Sequence, residues 1–114
     1  MLRTSVVIFG LACCIAAPLS AQQPLTAEEA CQQTSNIVAT AVSMRAKGSS
    51  AKRVTRVLTK GRLKVGERYT QTVAPLVNWV FTIDEAIIGA AGAPQNIGGQ
   101  FHTQCLSLAR PETQ

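Results

Sequence analysis

The chain has 114 residues, of which 46% are hydrophobic and 15% charged, and its eleven Lys or Arg and six Asp or Glu residues give a net charge of +5. This length allows one small domain, which excludes a multi-domain enzyme, a solenoid and a polytopic membrane protein. Four cysteines in so short a chain indicate either an oxidising compartment or a metal site.

The N-terminal segment has the pattern of a secretory signal peptide. Arg3 precedes an uncharged apolar run over residues 5–17, and the small residue Ala21 marks the expected exit, although Leu19 is larger than the usual pattern prefers. The run is too short to cross roughly 30 Å of hydrocarbon as a helix. We therefore expect residues 1–21 to be removed on export, leaving residues 22–114 as a single helical domain in the periplasm or outside the cell.

The cysteine count then falls to two. Cys13 and Cys14 leave with the signal, unless one of them is lipidated, although neither has both of the residues usual before a lipidated cysteine. Cys31 and Cys105 remain, and an even count in an exported chain predicts one structural disulfide. As metal ligands they would have only His102 beside them, without the close spacing of a zinc site. We predict a Cys31–Cys105 bridge, with no metal and no cofactor.

The first helix is predicted over residues 27–47. Thr26 and Glu29 form a capping box at its start, and two carboxylates in the first turn suit the positive end of the helix dipole. Apolar residues then recur at helical spacing. Gly48 follows as a natural residue to end the helix in a left-handed conformation.

The second predicted helix is short and amphipathic. Ser49 or Ser50 offers an N-cap, and Gly61 ends the helix. Three apolar residues form one stripe: Val54, Val57 and Leu58. The opposite face is basic and carries Lys52, Arg53, Arg56 and Lys60.

A third helical pattern covers residues 69–80. Pro75 lies inside it and lacks a backbone N–H, so we expect a kink or a fresh start near Ala74. Trp79 adds bulk to the apolar face and is expected to anchor the core or the edge of a groove.

The remainder of the chain predicts shorter elements. Asp84 can cap one more short helix, whereas residues 89–99 hold four glycines and a proline and are expected to form a loop. A last amphipathic turn or two follows over residues 101–108, and Pro111 stops it. No hairpin signal occurs, so the sequence predicts an all-α bundle of three to five helices.

Charge is concentrated in one segment. Nine basic residues fall between residues 45 and 68 with only Glu67 against them, a local charge of +8 within an otherwise acidic mature chain. We predict a partner-binding face formed by Arg45, Lys52, Arg53, Arg56, Lys60, Arg62 and Lys64. A solvated helix face with no partner is the alternative.

The partner expected for this face is an acidic protein, as for an inhibitor, immunity or accessory factor, or an anionic envelope component such as lipid or lipopolysaccharide. Nucleic acid is disfavoured, because export removes the usual target and the segment lacks interleaved aromatic residues. A membrane-surface helix would need larger apolar residues opposite the charges. No transmembrane segment is expected after signal removal.

Catalysis has little support in the sequence. His102 is the only histidine, so a nucleophile–histidine arrangement would need it beside a serine or cysteine. Glu28 and Glu29 are explained by helix capping and need no acid–base role. We expect no enzyme activity and no catalytic residues; a small hydrolase dependent on His102 is the alternative.

The layout resembles that of small exported helical proteins of Gram-negative bacteria. The positions that carry the resemblance are Cys31, the Arg45–Gly48 exit of the first helix, the Val80–Phe81 pair, and Phe101 through Cys105. It implies a disulfide-bridged periplasmic helical domain and carries over no activity or site. Motifs of the helical acid-stress chaperones and of amidase-immunity proteins are lacking.

Overall fold

The fold of residues 25–109 is described by a computed structural model. The predicted signal peptide, its cleavage site, its two cysteines and the stop at Pro111 lie outside these residues. Five α-helices occur within the described range: α1 (Ala27–Ala46), α2 (Ala51–Lys60), α3 (Thr70–Val80), α4 (Glu85–Ile88) and α5 (Ala93–Ala109), with a 3₁₀ turn at Glu67–Tyr69. Residues 25–109 contain no strand, which confirms the all-α class and the predicted number of helices.

Local signals define both ends of α1. The Thr26 hydroxyl accepts from the backbone N–H of Glu29 at 3.0 Å, and the Glu29 carboxylate accepts from the N–H of Thr26, so the predicted capping box forms. At the other end Gly48 has φ 97°, and the N–H of Ser49 donates to the carbonyl of Met44 at 3.0 Å. This is a Schellman motif, which needs a left-handed residue that glycine supplies without strain.

The core lies on the inner faces of α1, α2 and α3. Val38, Val42, Val54, Val73, Val77 and Val80 each have 0% of their surface exposed. Ile37, Leu58, Ile88 and Ala93 join them at 2–3% exposure, so every helix contributes to one cluster. Val54 and Leu58 of the predicted α2 stripe pack in this cluster, whereas Val57 is half-buried outside it.

α1 and α5 pack against each other antiparallel. The disulfide joins Cys31 near the start of α1 to Cys105 near the end of α5, with 5.6 Å between the Cα atoms. Further along, a Cβ added at Gly98 would lie 3.2 Å from Cβ of Ala39 and 3.3 Å from the carbonyl oxygen of Ser35. The two backbones therefore approach closely at a residue without a side chain. The predicted disulfide is confirmed.

The expectation of a loop over residues 89–99 is wrong beyond residue 92. Gly92 turns the chain with φ 76°, and α5 begins at Ala93. Pro94 falls in the first turn, where a missing N–H costs no helical hydrogen bond. The low propensity of Gly98 is overridden by the tertiary packing of α5 on α1.

Of the kink or fresh start expected near Ala74, the fresh start is wrong. α3 begins at Thr70 and continues through Pro75 to Val80. Pro75 and Gln71 are both exposed, so solvent can replace the helical donor that the Gln71 carbonyl loses. Burial of three valines on the other side of α3 holds the helix together across the proline.

Candidate partner-binding site

The packing of α2 fixes which way its basic residues point. Val54 and Leu58 are buried with 0% and 2% exposure, and they turn the opposite side of the helix to water. All four cations of that side are exposed: Lys52, Arg53, Arg56 and Lys60. At 100° per residue they span an arc of about 100°. We call these four residues the α2 basic face.

Three members of this face converge on a shallow depression. Lys52, Arg56 and Lys60 line it together with residues from two helices, and its volume is about 510 Å³. The other lining residues are Ala51, Thr55, Thr59 and Asn78. The Thr55 hydroxyl and the Asn78 amide can donate beside the ammonium and guanidinium groups, which suits a ligand rich in oxygen acceptors.

The sequence pattern identified the cations of this depression but not its uncharged members. Asn78 lies on α3, and only the packing of α3 against α2 brings it to this depression. Thr59 donates its hydroxyl to the carbonyl of Thr55 at 2.8 Å, which leaves its lone pairs as acceptors. No periodicity within α2 alone would have singled out Asn78.

Two further predicted residues extend the basic surface beyond α2. Arg62 and Lys64 are exposed in the segment that follows Gly61. This segment is ordered by backbone hydrogen bonds, with the N–H of Lys64 donating to the carbonyl of Gly61 at 3.1 Å and the N–H of Val65 to that of Leu58 at 2.9 Å. Arg62 and Lys64 therefore lie on a fixed turn.

Arg45 has a different environment from the other predicted binding residues. Its Nη1 donates to the carbonyl oxygens of Val80 at 2.8 Å and Ile83 at 2.6 Å, and its guanidinium lies 5.2 Å from the centroid of the Phe81 ring. These acceptors belong to the last turn of α3 and the residues after it. Arg45 thus holds the end of α3 against the end of α1, and its part in partner binding stays a prediction.

His102 lies in a cleft of about 300 Å³ between α1 and α5. Its Nε2 is buried and has no hydrogen-bond partner. Ser35 lines the same cleft, but its hydroxyl donates to the carbonyl of Gln32 at 2.9 Å. The residues that line this cleft include no carboxylate, so the arrangement expected of a serine–histidine–carboxylate hydrolase is not assembled there.

The described residues contain no cluster of three or more His, Cys, Asp or Glu side chains placed to hold a metal ion. Within the same part of the chain, no helix is both long and apolar enough to cross a membrane. Comparison of the chain with protein-family models, with curated proteins and with solved structures gives no match.

Proposed function

We propose that this chain is an exported binding protein that presents the α2 basic face to an acidic surface of a protein partner. The observation that carries the proposal is the convergence of Lys52, Arg56 and Lys60 on one depression between α2 and α3. Carboxylates of a partner can meet both cations and neutral donors there.

The fold favours a protein partner over insertion into a bilayer. A helix that lies in a membrane interface needs its apolar side free to enter the acyl boundary. In α2 that side is buried against α1 and α3, with Val54 at 0% and Leu58 at 2% exposure. Only the charged side of α2 is available, so attachment to anionic lipid would rest on electrostatic attraction alone.

The charge distribution supports recognition of an acidic surface. The segment over residues 45–68 has nine cations and one carboxylate, whereas residues 69–109 have two carboxylates and no Lys or Arg. A field of this polarity speeds the encounter with an oppositely charged surface and orients the molecule as it approaches. The same field explains why we expect strong dependence on ionic strength.

Export is part of the proposal, and the disulfide supports it. A bridge between Cys31 and Cys105 persists in oxidising compartments and is rare where thiols are kept reduced. The signal-like pattern over residues 1–21 agrees with that compartment.

The proposal is tested by affinity capture from an envelope extract of the host, with the disulfide-bonded protein immobilised. Two matched variants accompany the parent chain. Arg53→Gln with Arg56→Gln lowers the net charge on the α2 basic face, and Gln95→Glu with Thr103→Glu lowers it equally on exposed positions of α5. We expect the first variant to bind its partner at least about tenfold more weakly, and the second to bind as the parent does.

Two outcomes would contradict the proposal. Equal weakening by both variants would mean that net charge, not the α2 basic face, governs capture. Binding to vesicles of phosphatidylcholine and phosphatidylglycerol that depends on Arg53 and Arg56, with no protein captured, would assign the face to an anionic membrane surface instead.

A further inference from the structure

An apolar groove lies where the end of α3, α4 and α5 meet. It has a volume of about 240 Å³ and is lined by Trp79, Ile83, Ile87, Ile97, Gln100, Phe101 and Gln104. Trp79 and Ile87 are 43% and 52% exposed, and the Trp79 and Phe101 rings have centroids 6.0 Å apart. Large apolar side chains that stay in contact with water around a concave site mark a docking surface.

The charges next to this groove are acidic. Asp84 and Glu85 are both exposed and lie in the chain between Ile83 and Ile87, which line it. Arg45 also reaches this end of the bundle, but its guanidinium is engaged by two carbonyl oxygens and the Phe81 ring. An occupant that matches the groove is therefore an apolar side chain with cations next to it in sequence.

The chain itself carries such a segment. Leu63 is 51% exposed and stands between Arg62 and Lys64 on the turn after α2. The hydrogen bond from Val65 N–H to the carbonyl of Leu58 holds this turn in place. A turn that is already ordered loses little conformational entropy when it docks.

The turn does not fill the groove of its own molecule. Leu63 lines a depression together with Gln33 and Asn36 of α1, and this depression shares no lining residue with the groove. We propose that the groove binds the Arg62–Leu63–Lys64 turn of a second copy of this chain. Leu63 packs against the Trp79 and Ile87 side chains, and the two cations lie beside Asp84 and Glu85. This contact goes beyond the proposed function, because it does not use the α2 basic face.

Self-association is measured by analytical ultracentrifugation of the disulfide-bonded protein over a range of concentrations. We expect reversible association that weakens in about 1 M salt, where the Debye length is about 3 Å. Leu63→Ser and Ile87→Ser should each raise the dissociation constant at least about tenfold. Leu108→Ser is the matched control, since Leu108 is 86% exposed and lies outside the groove.

Trp79 provides a second readout, because it is the only tryptophan of the chain. Its emission should shift to shorter wavelength as the parent protein associates, and should stay constant with concentration in Leu63→Ser. An emission shift that persists in Leu63→Ser would contradict docking of the turn, whatever the sedimentation shows.

Charge exchange tests the pairing directly. Arg62→Glu and Glu85→Lys should each weaken association, and the chain carrying both substitutions should recover most of it, because each copy again offers opposite charges.

Parent protein that stays monomeric at all concentrations overturns the proposal. Association that Ile87→Ser abolishes and Leu63→Ser leaves unchanged overturns it too, and indicates contact between two grooves. Arg53→Gln with Arg56→Gln should self-associate as the parent does, which separates this contact from the proposed function.

Discussion

Gly98 and Gly99 are adjacent in α5 but meet different surroundings. A methyl group at Gly98 would press on Cβ of Ala39 and the carbonyl oxygen of Ser35, at 3.2 and 3.3 Å, whereas one at Gly99 would have nothing within 4 Å. Both of the atoms that Gly98 faces are held by the backbone of α1, so they cannot move aside as the tip of a flexible side chain can.

Alanine substitution should therefore have opposite effects at the two positions. In Gly98→Ala the strain of overpacking, about 1–3 kcal/mol, exceeds the gain in helix propensity of about 1 kcal/mol, so the free energy of unfolding falls. In Gly99→Ala only the propensity gain remains, and the free energy of unfolding rises by about 0.5–1 kcal/mol. Urea unfolding of the two variants measures both changes. Equal effects would mean that α1 and α5 are not in the close contact described.

The same glycines show where the sequence pattern fails. Residues 89–99 have the composition of a loop, and the pattern within α5 gives no sign that Gly98 meets α1 at a distance of some sixty residues along the chain. Composition indicates how much free energy the glycines cost within the helix itself. The packing of α5 against α1, which offsets this cost, depends on residues in a different helix. By contrast, the capping box at Thr26 depends on residues three apart and was predictable.

Some helix ends are likewise stabilised by neighbouring residues, and others by residues far away in the sequence. Asp84 caps α4 as the sequence predicts, and Ser50, one of the two serines predicted for the role, caps α2; both act on neighbours two or three residues away. The end of α3 instead relies on Arg45, whose acceptors at Val80 and Ile83 lie 35 and 38 residues further along. The sequence pattern grouped Arg45 with the cations of α2 on the basis of charge alone. A sequence does not show which backbone carbonyls a distant side chain will reach.

Arg45→Met should lower the free energy of unfolding by about 1.5–3 kcal/mol, the range for hydrogen bonds to a charged group. Methionine keeps much of the apolar stem but leaves two carbonyl oxygens without this donor. Arg45→Lys should recover only part of the loss, because an ammonium group can donate to the carbonyls but has no planar guanidinium to lie over the Phe81 ring. Thermal unfolding of both variants measures this, and a parent-like melting temperature for Arg45→Met would contradict the role.

At the scale of the whole molecule, the disulfide closes almost the entire described chain. Cys31 and Cys105 are 74 residues apart, and the loop between them contains α2, α3 and α4. Cross-linking residues so distant in sequence restricts the unfolded chain strongly. Both cysteines and their pairing could be predicted by counting. The groove lined by Trp79 and Phe101 could not be predicted, because its lining residues become neighbours only when three helices pack together.

Replacing both cysteines by alanine should lower the free energy of unfolding by about 2–5 kcal/mol. The measurement is urea unfolding of the parent and the double variant, each with and without reductant. Reductant should destabilise the parent to the level of the variant and leave the variant unchanged. A variant as stable as the oxidised parent would show that the bridge contributes nothing to the folded state.

The antiparallel packing of α1 on α5 has a practical consequence for orientation. Residues 25 and 109 leave the bundle at the end where the bridge lies, and α1 carries the chain from there to the turn that precedes Lys52. A tether at either terminus of the bundle would hold the bridged end close to a support. The start of α2 would then point away from the support. Lys52 and Arg53 would be accessible to partners in solution.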